Sequence, residues 1–135
     1  MKTTNYINTF IRISEDCPVR TAEIPPLGGV SKTIARRQYE WLSKRPYQFT
    51  SDTLLFGIHA ERHHLPGDDI EEEQKKFFSK GQPCLRTSPL AKRYGWGFHH
   101  DERGRVALIP YGSDEYTRFA GDENLTQLTA LRSRR

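Results

Sequence analysis

Large apolar side chains alternate along the first part of the chain. Between Tyr6 and Ile13 the alternation has the period of two that is typical of a β-strand. Large apolar groups occupy both faces, with Ile11 on one and Phe10 on the other. The pattern therefore predicts a strand inside a sheet, followed by a long loop over residues 14–30, where prolines and glycines interrupt any period.

A helical period follows the loop. Ser31 is a suitable N-terminal cap for the next segment, and Pro46 ends it. On a helical wheel the apolar side chains form one arc and the charged side chains lie mostly opposite. The sequence therefore predicts an amphipathic helix over residues 31–45. Its arc comprises Ile34, Ala35, Gln38, Tyr39, Trp41 and Leu42.

The segment from Thr53 to Arg62 is ambiguous, and we predict a strand. In that form Leu54, Phe56 and Ile58 share one face, and Leu55 is the exception to the alternation. Further along, Asp69 and Glu72 form a capping-box pattern, which predicts a surface helix that ends at Gly81.

A β-hairpin over residues 96–109 is the most specific structural prediction. Two apolar runs flank the residues Asp-Glu-Arg-Gly, a turn in which Gly104 supplies a positive φ. Pairing Asp101 with Arg105 places Phe98 opposite Leu108. The turn residues therefore fix the register of the predicted hairpin.

The end of the chain is predicted to be helical or weakly structured. Ser113 begins a short helix, and after Gly121 three leucines, Leu125, Leu128 and Leu131, favour a helical or partly disordered tail over residues 122–135. Residues 1–121 form the predicted domain. The fold class is α+β: a small, mainly antiparallel sheet that contains the 96–109 hairpin and packs against helices.

Composition and charge exclude several classes of protein. The 135 residues include 35% hydrophobic positions and two cysteines, which suits one compact domain. The net charge is +4, but three arginines lie in the tail, so the remainder is nearly neutral and a polybasic protein is excluded. No apolar stretch is long enough to span a membrane, and residues 1–10 lack a secretory signal. We expect a cytoplasmic protein without a membrane partner.

Several motifs carry a resemblance to a known family. They are Ser79-Lys80-Gly81-Gln82-Pro83-Cys84-Leu85-Arg86, Ser88-Pro89-Leu90, Lys92-Arg93-Tyr94-Gly95-Trp96-Gly97, the Asp101–Gly104 turn, Glu15-Asp16-Cys17-Pro18, and the segments 6–10 and 47–52. These motifs resemble those of a bacterial family of uncharacterised proteins known only as a domain of unknown function. The resemblance extends to about Tyr116, and it implies no activity, cofactor or catalytic residue.

Cys84 is a candidate nucleophile. Lys80 and Arg86 lie close in sequence, and a thiol beside cations ionises more readily. The base would be a histidine, and Cys17 could act as a resolving partner in a redox pair. Alternatively, Cys84 is a small packed residue and the two cysteines are unrelated. The candidate bases are His59, His99 and His100.

His59 and His63 are weak candidates for a metal site. They share a face on either a strand or a helix, together with Glu61 on a strand. The spacing H-x-E-x-H differs from the HExxH of zinc proteases, so solvated histidines are the alternative interpretation. No cofactor is identified from the sequence.

A basic stretch with an aromatic residue is the leading candidate for function. Residues 79–105 contain six basic and two acidic side chains. Such a surface suits a phosphate-bearing ligand or single-stranded nucleic acid, with Tyr94 available to stack on a base. The alternative interpretation of this stretch is an ordinary mixture of solvated charges. The predicted cations are Lys80, Arg86, Lys92 and Arg93.

Three functions remain open from the sequence. The leading hypothesis is a non-catalytic intracellular module that binds an anionic partner through this basic stretch. The first alternative is a small enzyme or redox protein that uses Cys84. The second is a structural or regulatory protein that makes its contact through apolar residues of the tail.

Overall fold

Residues 2–133 are described by the computed structural model, and they contain four β-strands and five α-helices. Short 3₁₀ turns at Gly67–Asp69 and Leu85–Thr87 precede the third and fourth helices. In chain order the elements are β1 (Thr9–Arg12), α1 (Ile34–Lys44), α2 (Ser51–Arg62), α3 (Ile70–Ser79), α4 (Pro89–Arg93), β2 (Trp96–His100), β3 (Val106–Pro110), α5 (Asp114–Ala120) and β4 (Thr126–Thr129).

The strands form one sheet in the order β3-β2-β1-β4. The β1–β2 and β2–β3 pairs are antiparallel, whereas β4 runs parallel to β1. The 96–109 hairpin is confirmed in its register, with Phe98 opposite Leu108 and Gly104 at a φ of 76°. The α+β class and the interior position of β1 are also confirmed, and the sheet is mixed because of β4.

The two faces of the sheet carry different helices. On one face Ile11 and Phe98 belong to a buried cluster with residues of α1, α2 and α4. On the other face Phe10 packs with Ile109 and with Tyr116 of α5. The sheet is therefore covered on both sides, and α1, α2 and α4 share one of them.

Helix α1 is confirmed, but its cap is Thr33 and not Ser31. The Thr33 side chain accepts a hydrogen bond from the Arg36 backbone N–H. Gly28 and Lys32 form an antiparallel bridge, so the chain between them is held in a tight turn and the helix begins only after it. The buried residues of α1 come from the predicted arc: Ala35, Gln38 and Leu42.

The strand predicted over residues 53–62 is wrong, because this segment is helix α2. Thr50 caps the helix by accepting a hydrogen bond from the Thr53 backbone N–H. Leu55, which broke the alternation of a strand, continues the apolar surface of the helix next to Leu54 and Ile58. Gly57 then lets α2 lie against the ring of Trp41, because a side chain at residue 57 would collide with that ring.

Two hydrogen bonds join the Asp52 carboxylate at the start of α2 to Thr4, one from its backbone N–H and one from its hydroxyl.

Helix α3 is confirmed, but its predicted capping box is wrong. Asp69 closes the preceding 3₁₀ turn, and its side chain makes no capping hydrogen bond. Gly81 follows the helix at a φ of 66°, as expected for the residue that ends it.

The helical tail is also wrong, since residues 126–129 form strand β4. The sheet offers the free edge of β1, and the backbone N–H of Thr126 donates to the Asn8 carbonyl at 2.8 Å. Leu128 packs on the α1 side of the sheet and Leu125 on the α5 side, which an extended chain allows and a helix does not. Arg134 and Arg135 of the predicted tail lie outside the described residues.

Candidate functional site

Helix α2 presents one mixed face to a cavity. Leu55, Ile58, His59 and Arg62 follow each other at the spacing i, i+3, i+4 and i+7, so they lie along a single side of the helix. At 1.5 Å per residue this stripe extends for roughly 10 Å. It runs from apolar side chains at one end to the Arg62 guanidinium at the other.

The cavity lies between this stripe, α1 and the loop that joins α3 to α4, and we call it the α2 cavity. Its volume is about 320 Å³. The loop is held by its own hydrogen bonds, from Gln82 Nε2 to the Phe77 carbonyl and from the Thr87 hydroxyl to the Cys84 carbonyl. Besides the α2 stripe, the lining comprises Ile34, Gln38, Phe77, Gln82, Pro83, Cys84, Thr87, Ser88 and Pro89.

Burial increases from the mouth of the α2 cavity to its floor. Arg62 is exposed, whereas Ile58 is 4% and Gln38 is 3% exposed. Within residues 2–133 Arg62 forms no ion pair, although the neighbouring Glu61 is paired with Arg37 at 2.9 Å. The mouth therefore carries a cation whose charge is available to a ligand.

His59 lies between the mouth and the apolar wall. Its ring centroid is 4.5 Å from that of His63 and 4.7 Å from that of Phe77. Burial is the main cause that lowers the pKa of His59 below its ordinary value, and the proximity of His63 lowers it further. Arg62 and Lys80 act in the same direction, whereas Glu73 opposes them. Both cations and the Glu73 carboxylate therefore act on His59 at this end of the cavity.

The two histidines lack the surroundings of a metal site. His63 is exposed at the end of α2, and Glu61 points to Arg37. Among residues 2–133 no group of three or more His, Cys, Asp or Glu side chains could hold a metal ion. The pair therefore has no third ligand in the described part of the chain.

Cys84 is half-buried in the wall of the α2 cavity. The Tyr6 hydroxyl donates a hydrogen bond to Sγ at 3.1 Å. Burial, followed by the bond to Cys84, raises the pKa of Tyr6 to about 12, so this hydroxyl remains a donor at neutral pH. Cys17 is buried on the α5 side of the sheet, and both cysteines are free thiols. The sheet therefore separates the two sulfur atoms that the sequence offered as a redox pair.

Of the three histidines proposed as a base for Cys84, His59 lines the same cavity. His99 faces α5, where it stacks on Phe119 at 4.1 Å and bonds to the Tyr47 hydroxyl at 2.7 Å. His100 is fully buried, and its ring lies edge-on to Tyr6 at 5.4 Å. The fold thus selects His59 as the histidine that shares a solvent-accessible space with the thiol.

The predicted basic stretch is divided between different places. Lys80 lies in a depression that adjoins the α2 cavity and shares His59 with it. Arg86 is half-buried, and its Nε donates to the Thr129 carbonyl at 3.0 Å, which fastens β4. Tyr94 packs against the core, and Lys92 and Arg93 lie on α4 away from the lining. The structure therefore places Lys80 beside the α2 cavity, and none of the five predicted residues belongs to its lining.

Sequence reasoning missed two polar residues of the cavity. Gln38 is the one polar member of the arc predicted for α1, and a polar side chain within an apolar arc is the signal that could have identified it. Arg62 follows Leu55 by seven residues, a relation that places both on one face only if the segment is helical. Because the segment was predicted to be a strand, Arg62 was not recognised as a residue on the same face as Leu55.

The fold and the cavity define the class of this molecule: a small α+β protein with a ligand-sized cavity between one helical layer and a connecting loop. The chain belongs to a family of unknown function (DUF6157), whose model matches residues 1–135. The resemblance to a domain of unknown function is thereby confirmed, and the match also includes the segment beyond Tyr116. Neither the curated proteins nor the solved structures contain a match to the chain. No helix within residues 2–133 is long and apolar enough to cross a bilayer.

Proposed function

We propose that this protein is a non-catalytic domain that binds a small amphipathic anion in the α2 cavity, in the cytoplasm of a bacterium. The observation that carries the proposal is the α2 stripe, which leads from Leu55 and Ile58 to the Arg62 guanidinium, a group without an ion pair among residues 2–133. An anionic ligand was also the leading expectation from the sequence. The two free thiols suit a reducing compartment.

The size and lining of the α2 cavity support a small molecule. Its volume lies at the lower end of the range of ligand pockets, and it equals that of about ten water molecules. Helices α1, α2 and α3 contribute four apolar side chains to the wall, and these would bury a hydrocarbon or aromatic body. They are Ile34, Leu55, Ile58 and Phe77. The cation at the mouth would then face the charged group of the ligand in solvent.

A single-stranded nucleic acid has less support as the partner. Binding of this kind needs a continuous basic groove with aromatic side chains along it. Arg86 is engaged with β4, and Tyr94 is packed against the core. We therefore propose a small anion in place of a polymer.

Octanoate is a suitable probe, because it joins a carboxylate to an apolar body of the right size. In titration calorimetry we expect Arg62→Ala to weaken octanoate binding about fivefold, by loss of a charge-assisted contact at an exposed position. Raised salt should weaken binding by the wild-type protein. Leu55→Trp, which fills the cavity, should abolish binding.

Arg93→Ala is the matched control, because it removes an exposed arginine that lies away from the cavity. Its affinity for octanoate should equal that of the wild type. Unchanged binding in Leu55→Trp would overturn the proposal. Weaker binding in Arg93→Ala but not in Arg62→Ala would instead favour the basic stretch predicted from sequence.

A thiol nucleophile at Cys84 is the second candidate, and the hydrogen bond from Tyr6 together with the shared cavity of His59 favours it. In the reaction with iodoacetamide, a carbon–sulfur bond would form as iodide leaves, and the thiol proton would pass to His59 or to solvent. In a Cys17→Ser background, alkylation should be faster than that of a cysteine peptide and should slow in His59→Gln. A rate equal to the peptide's would exclude this candidate.

A further inference from the structure

Gln38 brings a buried amide to the floor of the α2 cavity. It is only 3% exposed, yet it lies on the face of α1 that otherwise buries Ala35 and Leu42. A polar side chain at such a depth is stabilised only if its hydrogen-bonding groups find partners. The contacts of this amide therefore indicate what the floor of the cavity is built to bind.

One half of the amide is bonded within the protein. The Ser88 hydroxyl donates to Gln38 Oε1 at 2.5 Å, a separation typical of O–H···O and short for N–H···O. The Leu90 backbone N–H donates to the same Ser88 oxygen at 3.2 Å, so that oxygen already acts as an acceptor. Together these bonds assign the carbonyl end of the amide to Ser88.

The other half of the amide is free. Within residues 2–133 Gln38 Nε2 has no hydrogen-bond partner, and Gln38 lines the α2 cavity. Since this nitrogen is accessible from the cavity, an acceptor atom on a ligand could bond to it in place of water.

We propose that the ligand of the α2 cavity carries a neutral carbonyl oxygen at its apolar end, which accepts a hydrogen bond from Gln38 Nε2. This inference rests on the proposed function, in which Arg62 binds the anionic group at the mouth. The ligand class is therefore a carboxylate or a similar anion with a keto, ester or amide oxygen at the far end of a short apolar body.

A neutral acceptor is favoured over a second anionic group. At the floor Gln38 supplies one uncharged donor, and the surrounding wall is formed by apolar groups such as Ile58. A carboxylate buried there would lose its hydration without a cation to compensate it. A carbonyl oxygen needs only one or two donors, which this site provides.

The test compares two probes, octanoate and 7-oxooctanoate, which differ in a single keto oxygen near the apolar end. By titration calorimetry the wild-type protein should bind 7-oxooctanoate about fivefold more tightly, as one additional neutral hydrogen bond would give. Gln38→Met removes the donor and keeps the approximate volume. In that variant the preference for 7-oxooctanoate over octanoate should fall to about one.

A spectroscopic measurement on the wild-type protein accompanies the variant. The side-chain amide resonances of Gln38 should shift with 7-oxooctanoate and stay in place with octanoate. Equal affinity of the wild type for both probes, with no selective shift, would overturn this inference alone. Failure of both probes to bind would overturn the proposed function itself. If Gln38→Met does not fold, the wild-type preference and the amide shift still decide the question.

Discussion

The two sides of the sheet differ in whether their polar side chains are hydrogen-bonded within the protein. On the α5 side the Tyr116 hydroxyl accepts from the Ile13 backbone N–H at 2.9 Å, and Arg12 donates to Gln127 and to the Ala120 carbonyl. On the α2 side the amide nitrogen of Gln38 and the guanidinium of Arg62 have no such partner within residues 2–133. The α5 side uses its polar groups for stability, and the α2 side leaves two of them available to a ligand.

The largest expected effect compares the packing of the two sides. Phe10 is fully buried against Tyr116 and Phe119, so Phe10→Ala should lower the free energy of unfolding by ~4 kcal/mol. Leu55 borders the α2 cavity, and Leu55→Ala should cost ~1 kcal/mol because one side of that residue is already open. Urea denaturation measures both values. Equal losses would show that the α2 side is packed as densely as the α5 side.

The next effect is a dependence of stability on pH that arises at His100. Neither ring nitrogen of this fully buried side chain has a hydrogen-bond partner in the described part of the chain. Burial lowers its pKa to about 4, below the value of ~6.5 for an unfolded chain. The folded state therefore binds the proton less tightly than the unfolded state, and stability is fully present above pH ~6.5.

Stability should then fall by ~3 kcal/mol as the pH decreases from ~6.5 through about 4. Urea titrations at a series of pH values measure this slope, which His100→Leu should reduce. His63→Gln, at an exposed histidine, serves as the control and should leave most of the slope. An unchanged slope in His100→Leu would assign the effect to other groups, among them His59 and His99, whose pKa values burial also lowers.

A smaller effect isolates one paired polar group. Tyr116→Phe removes the hydroxyl that the Ile13 backbone N–H uses as its acceptor, and it leaves that buried donor without a partner. We expect a loss of about 1–2 kcal/mol in the free energy of unfolding, measured by urea denaturation. A neutral result would mean that water reaches Ile13 and that the α5 side is less tightly sealed than its contacts indicate.

The smallest effect concerns an unpaired polar group. Arg62→Ala should change the free energy of unfolding by less than about 0.5 kcal/mol, because Arg62 is exposed and forms no ion pair within residues 2–133. Thermal or urea unfolding of the variant checks this value. A clear destabilisation would give Arg62 a structural role and weaken its assignment to a ligand.

The sequence was most informative where turn chemistry and periodicity agree. The hairpin follows from a four-residue turn with Gly104 at a positive φ, and α1 follows from a wide apolar arc. The segment 53–62 was misassigned because a short apolar run fits both a strand and a buried helix. Strand β4 could not be predicted, since its parallel pairing depends on a β1 edge that lies far away in the sequence.

One of these errors also hid the candidate site. As a strand, the segment places His59 on the same face as Glu61 and His63, which directs attention to a metal site. As helix α2, it places His59 beside Arg62 and turns Glu61 toward Arg37. The kind of site suggested for this segment therefore depends on whether its residues are assigned the period of a strand or that of a helix.

The pairing of β1 with β4 has a consequence for biosynthesis. Thr9 is synthesised long before its parallel partner Thr126, because the two residues lie far apart along the chain. The edge of β1 that pairs with β4 must stay unpaired until residues 126–129 have been synthesised, and exposed strand edges invite aggregation. Completion of the sheet is thus a late event, and a ribosome that stalls before residue 126 would release a nascent chain with an open β1 edge.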